Sequence, residues 1–332
     1  MGGSLFVSLI FALVLVGLAA ATGQQLALAE SWESPRYARV ADAAGDIRGF
    51  PADVVEVTTS DGLTLKGLYW PKRDPAEPII VFFSGWQPPL ESVLKQVSPA
   101  VRSGYGVLAA IRRGFSGNPG SASEAGYYED AQSYTKLASS LAKGGPVILF
   151  GYSMGAPVAL EVARREPVTG VIVIGLFTHT EAIGLPLTSL MIGEPFDSRE
   201  TIAEVDEPTV FIYGRDDSIV PVKQGRELFQ LATAPRALLV IGDGGHFLRA
   251  TDLLPIVNAA VDAIVAGDLT QLNGLSSDGI EVSIAGPVGT GGDGAEPPSA
   301  ERGSIPETES QYSLPAPSGP ARPVRAPPAD RR

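Results

Sequence analysis

The sequence predicts an α/β fold of the doubly wound type, a mostly parallel sheet with helices on both faces, opened by an antiparallel hairpin. Three observations predict it. Short β-rich apolar runs alternate with helix-patterned segments of 10–17 residues between Pro51 and Gly267. The inner runs, such as Pro78 to Phe83 and Val171 to Ile174, are apolar on both faces, as strands covered by helices on either side must be. The first two runs are instead separated by Ser60-Asp61-Gly62, a tight-turn signal that makes them a hairpin.

The elements follow in order. Val54 to Thr59 and Leu63 to Trp70 form the hairpin, and Pro78 to Phe83 is the first inner strand. The spacing predicts a helix over Leu90 to Ser103, a strand over Gly106 to Ile111 and a helix over Gly126 to Ala142. Then come strand Val147 to Phe150, helix Met154 to Arg165 and strand Val171 to Ile174. Strand Thr209 to Tyr213, helix Val222 to Leu231, strand Ala237 to Ile241 and helix Leu253 to Ala266 complete the domain. Between the sixth strand and the seventh, residues 177–205 hold Leu185, Leu187, Leu190, Met191 and Ile192, either a short lid or a crossing helix with a core face.

The ends of the chain differ from this domain and from each other. Residues 1–29 carry no charged side chain, and Leu5 to Thr22 is almost wholly apolar, the length of a short membrane anchor or a long signal core. Ala27-Leu28-Ala29 supplies a cleavage pattern, but no Lys or Arg precedes the run. If the segment is retained, Arg36, Arg39 and Arg48 in the 30–50 linker favour a cytoplasmic domain. Residues 268–332 read as a disordered tail: from Gly274 onward lie ten of the 28 prolines and few large apolar residues. G-T-G-G-D-G, Gly289 to Gly294, matches a dinucleotide-loop string, but no strand precedes it and no helix follows, so it reads as chance.

Composition removes several function classes. There is no cysteine among the 332 residues, hence no disulfide, thiolate zinc site or cysteine nucleophile. Only His179 and His246 are available for imidazole chemistry, which disfavours a histidine-rich metal centre. A net charge of −12 disfavours nucleic acid as a partner.

One stretch does point to chemistry. In V-I-L-F-G-Y-S-M-G-A, a strand ends at Gly151, Ser153 occupies the corner, and Gly155 opens a helix. A strand turning directly into a helix strains its corner residue and crowds the second neighbours, so glycine is required on both sides. The serine oxygen then stands above the sheet beside the N–H groups of the helix N-terminus. Serine needs a base, and the base needs a carboxylate. Downstream, T-V-F-I-Y-G-R-D-D ends a strand in a carboxylate loop, and L-L-V-I-G-D-G-G-H ends the next in a loop presenting His246. Both loops lie at strand C-termini, where open α/β sheets bind ligands. The order serine, acid, histidine is the one this architecture uses. His179, after the next strand, reads as a rim or helix-start residue, Asp130 as a solvated helical charge, and one of Asp216 and Asp217 as a turn cap.

From about Val54 to Ala266 the chain resembles the α/β-hydrolase superfamily. It is most similar to the branch holding membrane-associated α/β-hydrolase-domain acyl-protein thioesterases and related bacterial esterases. The resemblance rests on D-G-L-T-L-K-G-L-Y-W-P (Asp61 to Pro71), on I-R-R-G-F-S-G-N-P-G-S-A-S-E-A-G-Y-Y-E-D-A (Ile111 to Ala131), and on G-Y-S-M-G, G-R-D-D-S-I-V-P and G-G-H. It implies a nucleophile Ser153, an acid Asp217 (three residues after Gly214) and a base His246. It implies an oxyanion hole from the backbone N–H groups of Met154 and Trp86, no cofactor and no metal. One departure stands out: where the family usually has His-Gly, this chain has Ser84-Gly85. That histidine is supporting, and the backbone donors survive its replacement. The expected activity is hydrolysis of a small acyl ester or thioester, of short to medium acyl length or presented at a membrane. The alternatives are an aminopeptidase-like amide hydrolase, for which no amine-holding carboxylate can be placed, and a non-catalytic hydrolase-fold interaction protein, against which the full set of three residues argues.

Overall fold

The computed structural model describes residue 47 and residues 49–86, 90–183 and 196–287. All belong to the first of two compact units, Met1–Gly289; the second, Thr290–Arg332, lies outside the described residues, as do the 1–29 segment and the Gly289 to Gly294 string. The strands are β1 (Asp53–Thr58), β2 (Thr64–Trp70), β3 (Ile79–Phe83), β4 (Gly106–Ala110), β5 (Val147–Tyr152), β6 (Gly170–Ile174), β7 (Thr209–Gly214), β8 (Arg236–Ile241) and β9 (Ile280–Ala285). The helices are α1 (Leu90–Ser103), α2 (Glu124–Ala142), α3 (Gly155–Ala163), α4 (Ser198–Ile202), α5 (Val222–Leu231) and α6 (Ala250–Val265).

The strands form one sheet in the order β1-β2-β4-β3-β5-β6-β7-β8-β9. Strands β4, β3 and β5 through β8 are mutually parallel, while β1, β2 and β9 pair antiparallel with their neighbours. Side chains alternate along each inner strand, so the sheet feeds two apolar layers. Ile79, Val81 and Phe83 face one layer and Ile80 and Phe82 the other. The first layer meets α2 through Tyr127, Ala131, Tyr134, Ala138 and Ala142, a stripe at helical spacing. It also meets six of the nine residues of α3, all of which are buried. The second meets Val93, Val97 and Val101 of α1 and Ile256, Val257, Ala260, Val261 and Ile264 of α6. At the head of α2, Ser123 Oγ accepts the Gly126 N–H at 3.0 Å, which caps the helix two residues earlier than periodicity alone indicates.

Two expectations need correction or restriction. The domain does not end at residue 267: a 3₁₀ segment, Leu269–Asp278, leads into β9, which pairs with the whole of β8. In the 177–205 segment the described parts are a 3₁₀ turn at Thr180–Ala182 and the short α4, capped by the Asp197 carboxylate; residues 184–195, the centre of the expected lid, lie outside the described residues.

Candidate active site

Four loops follow the C-terminal ends of β3, β5, β7 and β8 and carry the residues singled out in the sequence. The corner after β5 is the sharpest. Ser153 has φ of +50°, a conformation that costs free energy in any residue with a Cβ. A Cβ on Gly151 would lie 2.5 Å from the Ala156 Cα, and one on Gly155 would lie 2.0 Å from the Phe83 carbonyl oxygen. Both distances are well inside contact, so neither position can hold another residue without moving backbone. The Ser153 N–H donates to the Ile174 carbonyl at 2.8 Å, tying the corner to β6.

The structure brings three side chains into one line. His246 Nε2 lies 3.0 Å from Ser153 Oγ, and His246 Nδ1 lies 2.8 Å from Asp217 Oδ2. The aspartate and histidine are both buried. The second carboxylate oxygen of Asp217 accepts the N–H groups of Ile219 and Val220 at 2.9 and 2.8 Å, so the turn after β7 orients it. Its neighbour Asp216 is exposed, and its N–H donates to the Gly244 carbonyl at 2.9 Å, joining the acid loop to the histidine loop. With the Nδ1 proton held toward Asp217, Nε2 is the acceptor facing the serine hydroxyl. This arrangement can remove the serine proton and hold the resulting imidazolium against a buried carboxylate.

Tyr152, beside the serine, was not singled out in the sequence. Its hydroxyl donates to the His246 carbonyl at 2.5 Å, so the residue before Ser153 also fixes the histidine backbone. Burial pushes this phenol's pKa up, which keeps it a neutral donor. Met154 is buried at the N-cap position of α3, and Trp86, half-buried, follows β3 on the adjacent strand; an ideal Cβ on Gly85 would sit 3.4 Å from the Ser153 Cβ, so the two corners touch.

Two other residues are placed away from this line. His179 precedes the 3₁₀ turn at Thr180–Ala182, with Nδ1 3.1 Å from the Thr178 hydroxyl. Asp130 is not a solvated charge. It is 2% exposed and accepts the backbone N–H of Arg113 at 2.7 Å and its Nε at 2.8 Å. Arg113 also binds Asp61 at 2.7 and 3.1 Å, so α2, the loop after β4 and the hairpin turn share one guanidinium. A carboxylate in a helix gives no periodicity signal of its own, but the arginine pair in I-R-R-G was the available hint that a buried partner was needed. Among the described residues no cluster of three or more histidine or acidic side chains could hold a metal, and no helix is long and apolar enough to cross a membrane.

Comparison with known proteins agrees with this architecture. Residues 80–200 match the sequence profile described as the Alpha/beta hydrolase family. An uncharacterised protein of Mycobacterium tuberculosis is 32% identical over 203 residues, 58% of this chain and 72% of the relative. An uncharacterised Escherichia coli protein is 28% identical over 214 residues, 60% of this chain and 75% of that one. Among solved structures, an esterase of Pyrococcus furiosus superposes with a TM-score of 0.55 at 18% identity, covering 70% of this chain and 97% of the esterase.

Proposed function

Because the chain belongs to the α/β-hydrolase superfamily, we propose that it is a serine hydrolase cleaving carboxylic esters or thioesters through an acyl-enzyme on Ser153. The observation that carries this reading is the unbroken line Ser153 Oγ, His246, Asp217, with both links at hydrogen-bond distance. Ser153 Oγ attacks the acyl carbon while His246 Nε2 takes its proton. The oxyanion that forms accepts the N–H groups of Met154 and Trp86. Its collapse expels the alcohol or thiol, which leaves with the proton from His246. A water then attacks the acyl-enzyme by the same route, releasing the acid and restoring Ser153. Asp217 keeps the imidazole in the required tautomer and balances its charge throughout. Removing one oxyanion donor costs roughly 2.7–4 kcal/mol in enzymes of this kind.

Phe247 supports an apolar acyl group. It is 77% exposed, with its ring centroid 5.2 Å from that of His246. The substrate we assign is therefore a short to medium acyl ester, or an acyl chain presented at a membrane. The apolar Leu5 to Thr22 run belongs to the same proposal, as the signal or anchor that delivers the domain to such a surface.

The test is a p-nitrophenyl ester series from C2 to C12, measured beside Ser153→Ala and with a fluorophosphonate probe. Turnover and labelling in the wild type, both lost in the variant, are expected. A folded wild type that turns over no ester and takes no fluorophosphonate overturns the reading. Activity on aminoacyl amides would then separate an amide hydrolase from a non-catalytic protein.

A further inference from the structure

Arg112 is a buried cation with an unusual set of partners. It is 9% exposed and, among the described residues, forms no ion pair; its neighbour Arg113 takes both Asp61 and Asp130. The Arg112 guanidinium instead lies over the ring of Phe115 at 4.5 Å and that of Tyr127 at 4.7 Å. It donates through Nη2 to the Gly85 carbonyl at 2.8 Å and through Nη1 to the Ser84 carbonyl at 3.3 Å. Burial disfavours its charge, the nearby Asp130 carboxylate offsets part of that cost, and the two carbonyls satisfy its donors. A guanidinium fork spanning two successive carbonyls fixes the peptide planes that carry them.

The register shows what that fixing does. Phe83 on β3 pairs with Ala110 on β4 and with Gly151 on β5. Two residues further along the three parallel strands stand Arg112, Gly85 and Ser153, so the arginine and the serine flank the β3 turn from opposite sides. In a planar trans peptide the carbonyl and the N–H point in opposite directions. Holding the Gly85 carbonyl toward the β4 side therefore aims the N–H of the same peptide, that of Trp86, toward the β5 side and Ser153. Arg112 therefore orients this turn from the loop that follows the neighbouring strand β4.

We propose that Arg112 is a positioning residue for the oxyanion hole, holding the carbonyls of Ser84 and Gly85 so that the Trp86 N–H meets the acyl oxygen on Ser153. The inference rests on the ester-hydrolase reading above and assigns a residue outside the reacting groups. It separates Arg112 from a side chain that only fills space, because a space-filler would affect folding and leave the energy of the tetrahedral state unchanged.

The experiment compares the full-length wild type with Arg112→Met, which keeps bulk but removes the donors, and Arg112→Lys, which keeps charge but lacks the planar fork. Active sites are titrated with fluorophosphonate, so that kcat on p-nitrophenyl acetate is per competent site. KM and the Ki of an aryl trifluoromethyl ketone, which binds as a tetrahedral adduct, are measured alongside. Loss of an oxyanion donor costs about 10²–10³ in kcat, and a displaced donor is expected to cost ~10–100-fold. We expect that loss in Arg112→Met, a Ki raised by a similar factor, KM within ~2-fold, and partial recovery in Arg112→Lys. Equal kcat and Ki in folded Arg112→Met and wild type would overturn the proposal, as would a loss confined to KM. If Arg112→Met does not fold, Arg112→Lys decides on the same split between kcat and KM. A wild type that neither hydrolyses the ester nor takes the probe removes the hydrolase reading itself, a different result seen before any variant is compared.

Discussion

Ser153 holds φ at +50° because three neighbours constrain it: Gly151 and Gly155 let backbones approach within contact, and the Ser153 N–H is bound to Ile174. Gly155→Ala puts a methyl group 2.0 Å from the Phe83 carbonyl oxygen, so either α3 or the β3 turn must shift. A destabilisation of about 1–3 kcal/mol is expected in urea titrations, with a fall in kcat because both candidate oxyanion donors lie on the displaced segments. Asp217→Asn is expected to keep the fold yet cut kcat by roughly 10⁴, because the amide lets His246 adopt the wrong tautomer; ester hydrolysis at saturating substrate measures it. This corner was legible in the sequence because its constraint is steric and local: a Cβ at either second neighbour would collide with backbone, so the requirement is written as two glycines around one serine. The choice between Asp216 and Asp217 was not legible from residue type, since both are carboxylates on one turn. What distinguishes them is tertiary: the Asp217 side chain receives the Ile219 and Val220 N–H groups, and Asp216 faces solvent. Arg112 was hidden for a related reason: its partners are backbone carbonyls, which leave no mark in a side-chain pattern.

At the scale of elements, β-branched apolar runs and helical stripes located the inner strands and the long helices, because both faces of the sheet are covered and the periodicity is undiluted. The joints between elements were not legible. The hairpin turn, the loop after β4 and α2 meet at Arg113, through residues 52 and 17 positions away in the chain. Asp61, half-exposed, is held at about 2 by its hydrogen bonds to Arg113 and then to the Thr59 hydroxyl, against an ordinary 3.8. A carboxylate whose pKa is lower in the folded chain stabilises it above the unfolded value. That contribution is lost as pH falls through the folded value. Asp61→Asn is therefore expected to melt below wild type at pH 7. The gap should close between about pH 4 and pH 2, followed by thermal denaturation across that range. A gap that stays constant down to pH 2 would mean that Arg113 does not depend on the Asp61 charge. Asp130→Asn breaks the buried side of the same joint, where leaving Arg113 without its buried partner costs about 3–5 kcal/mol.

Among the described residues, the sheet extends one strand further than composition suggests. Ile280-Glu281-Val282-Ser283-Ile284-Ala285 alternates with period two, yet it follows a Gly- and Ser-rich stretch and precedes a Pro- and Gly-rich one, and an average over that window conceals six residues of strand. What makes the segment a strand is tertiary. Strand β8 is apolar and buried almost throughout, and without a neighbour its outer edge would be an open, aggregation-prone ladder. Strand β9 closes that edge over six residue pairs and packs Ile280, Val282 and Ile284 on the second apolar layer. It also sets Glu281 between Arg226 and Arg215, and the Gly286 carbonyl accepts from Arg236 on β8. Since β8 leads directly into the His246 loop, this closure supports the candidate site as well as the edge. A chain terminated after Pro287 is expected to keep the melting temperature and ester turnover of the full-length protein. Termination after Asp278 removes roughly half a dozen ladder hydrogen bonds at ~0.5–1.5 kcal/mol each. Together that is about 3–9 kcal/mol, and in a domain of this size each kcal/mol lowers Tm by roughly 2–4 °C, so a fall of at least about 6 °C is expected. The shorter chain is also expected to lose kcat through the His246 loop and to become prone to association through the β8 edge, read by scanning calorimetry and light scattering on the two truncations. Equal Tm and solubility for both would place the true edge of the folding unit at β8 and make β9 an accessory.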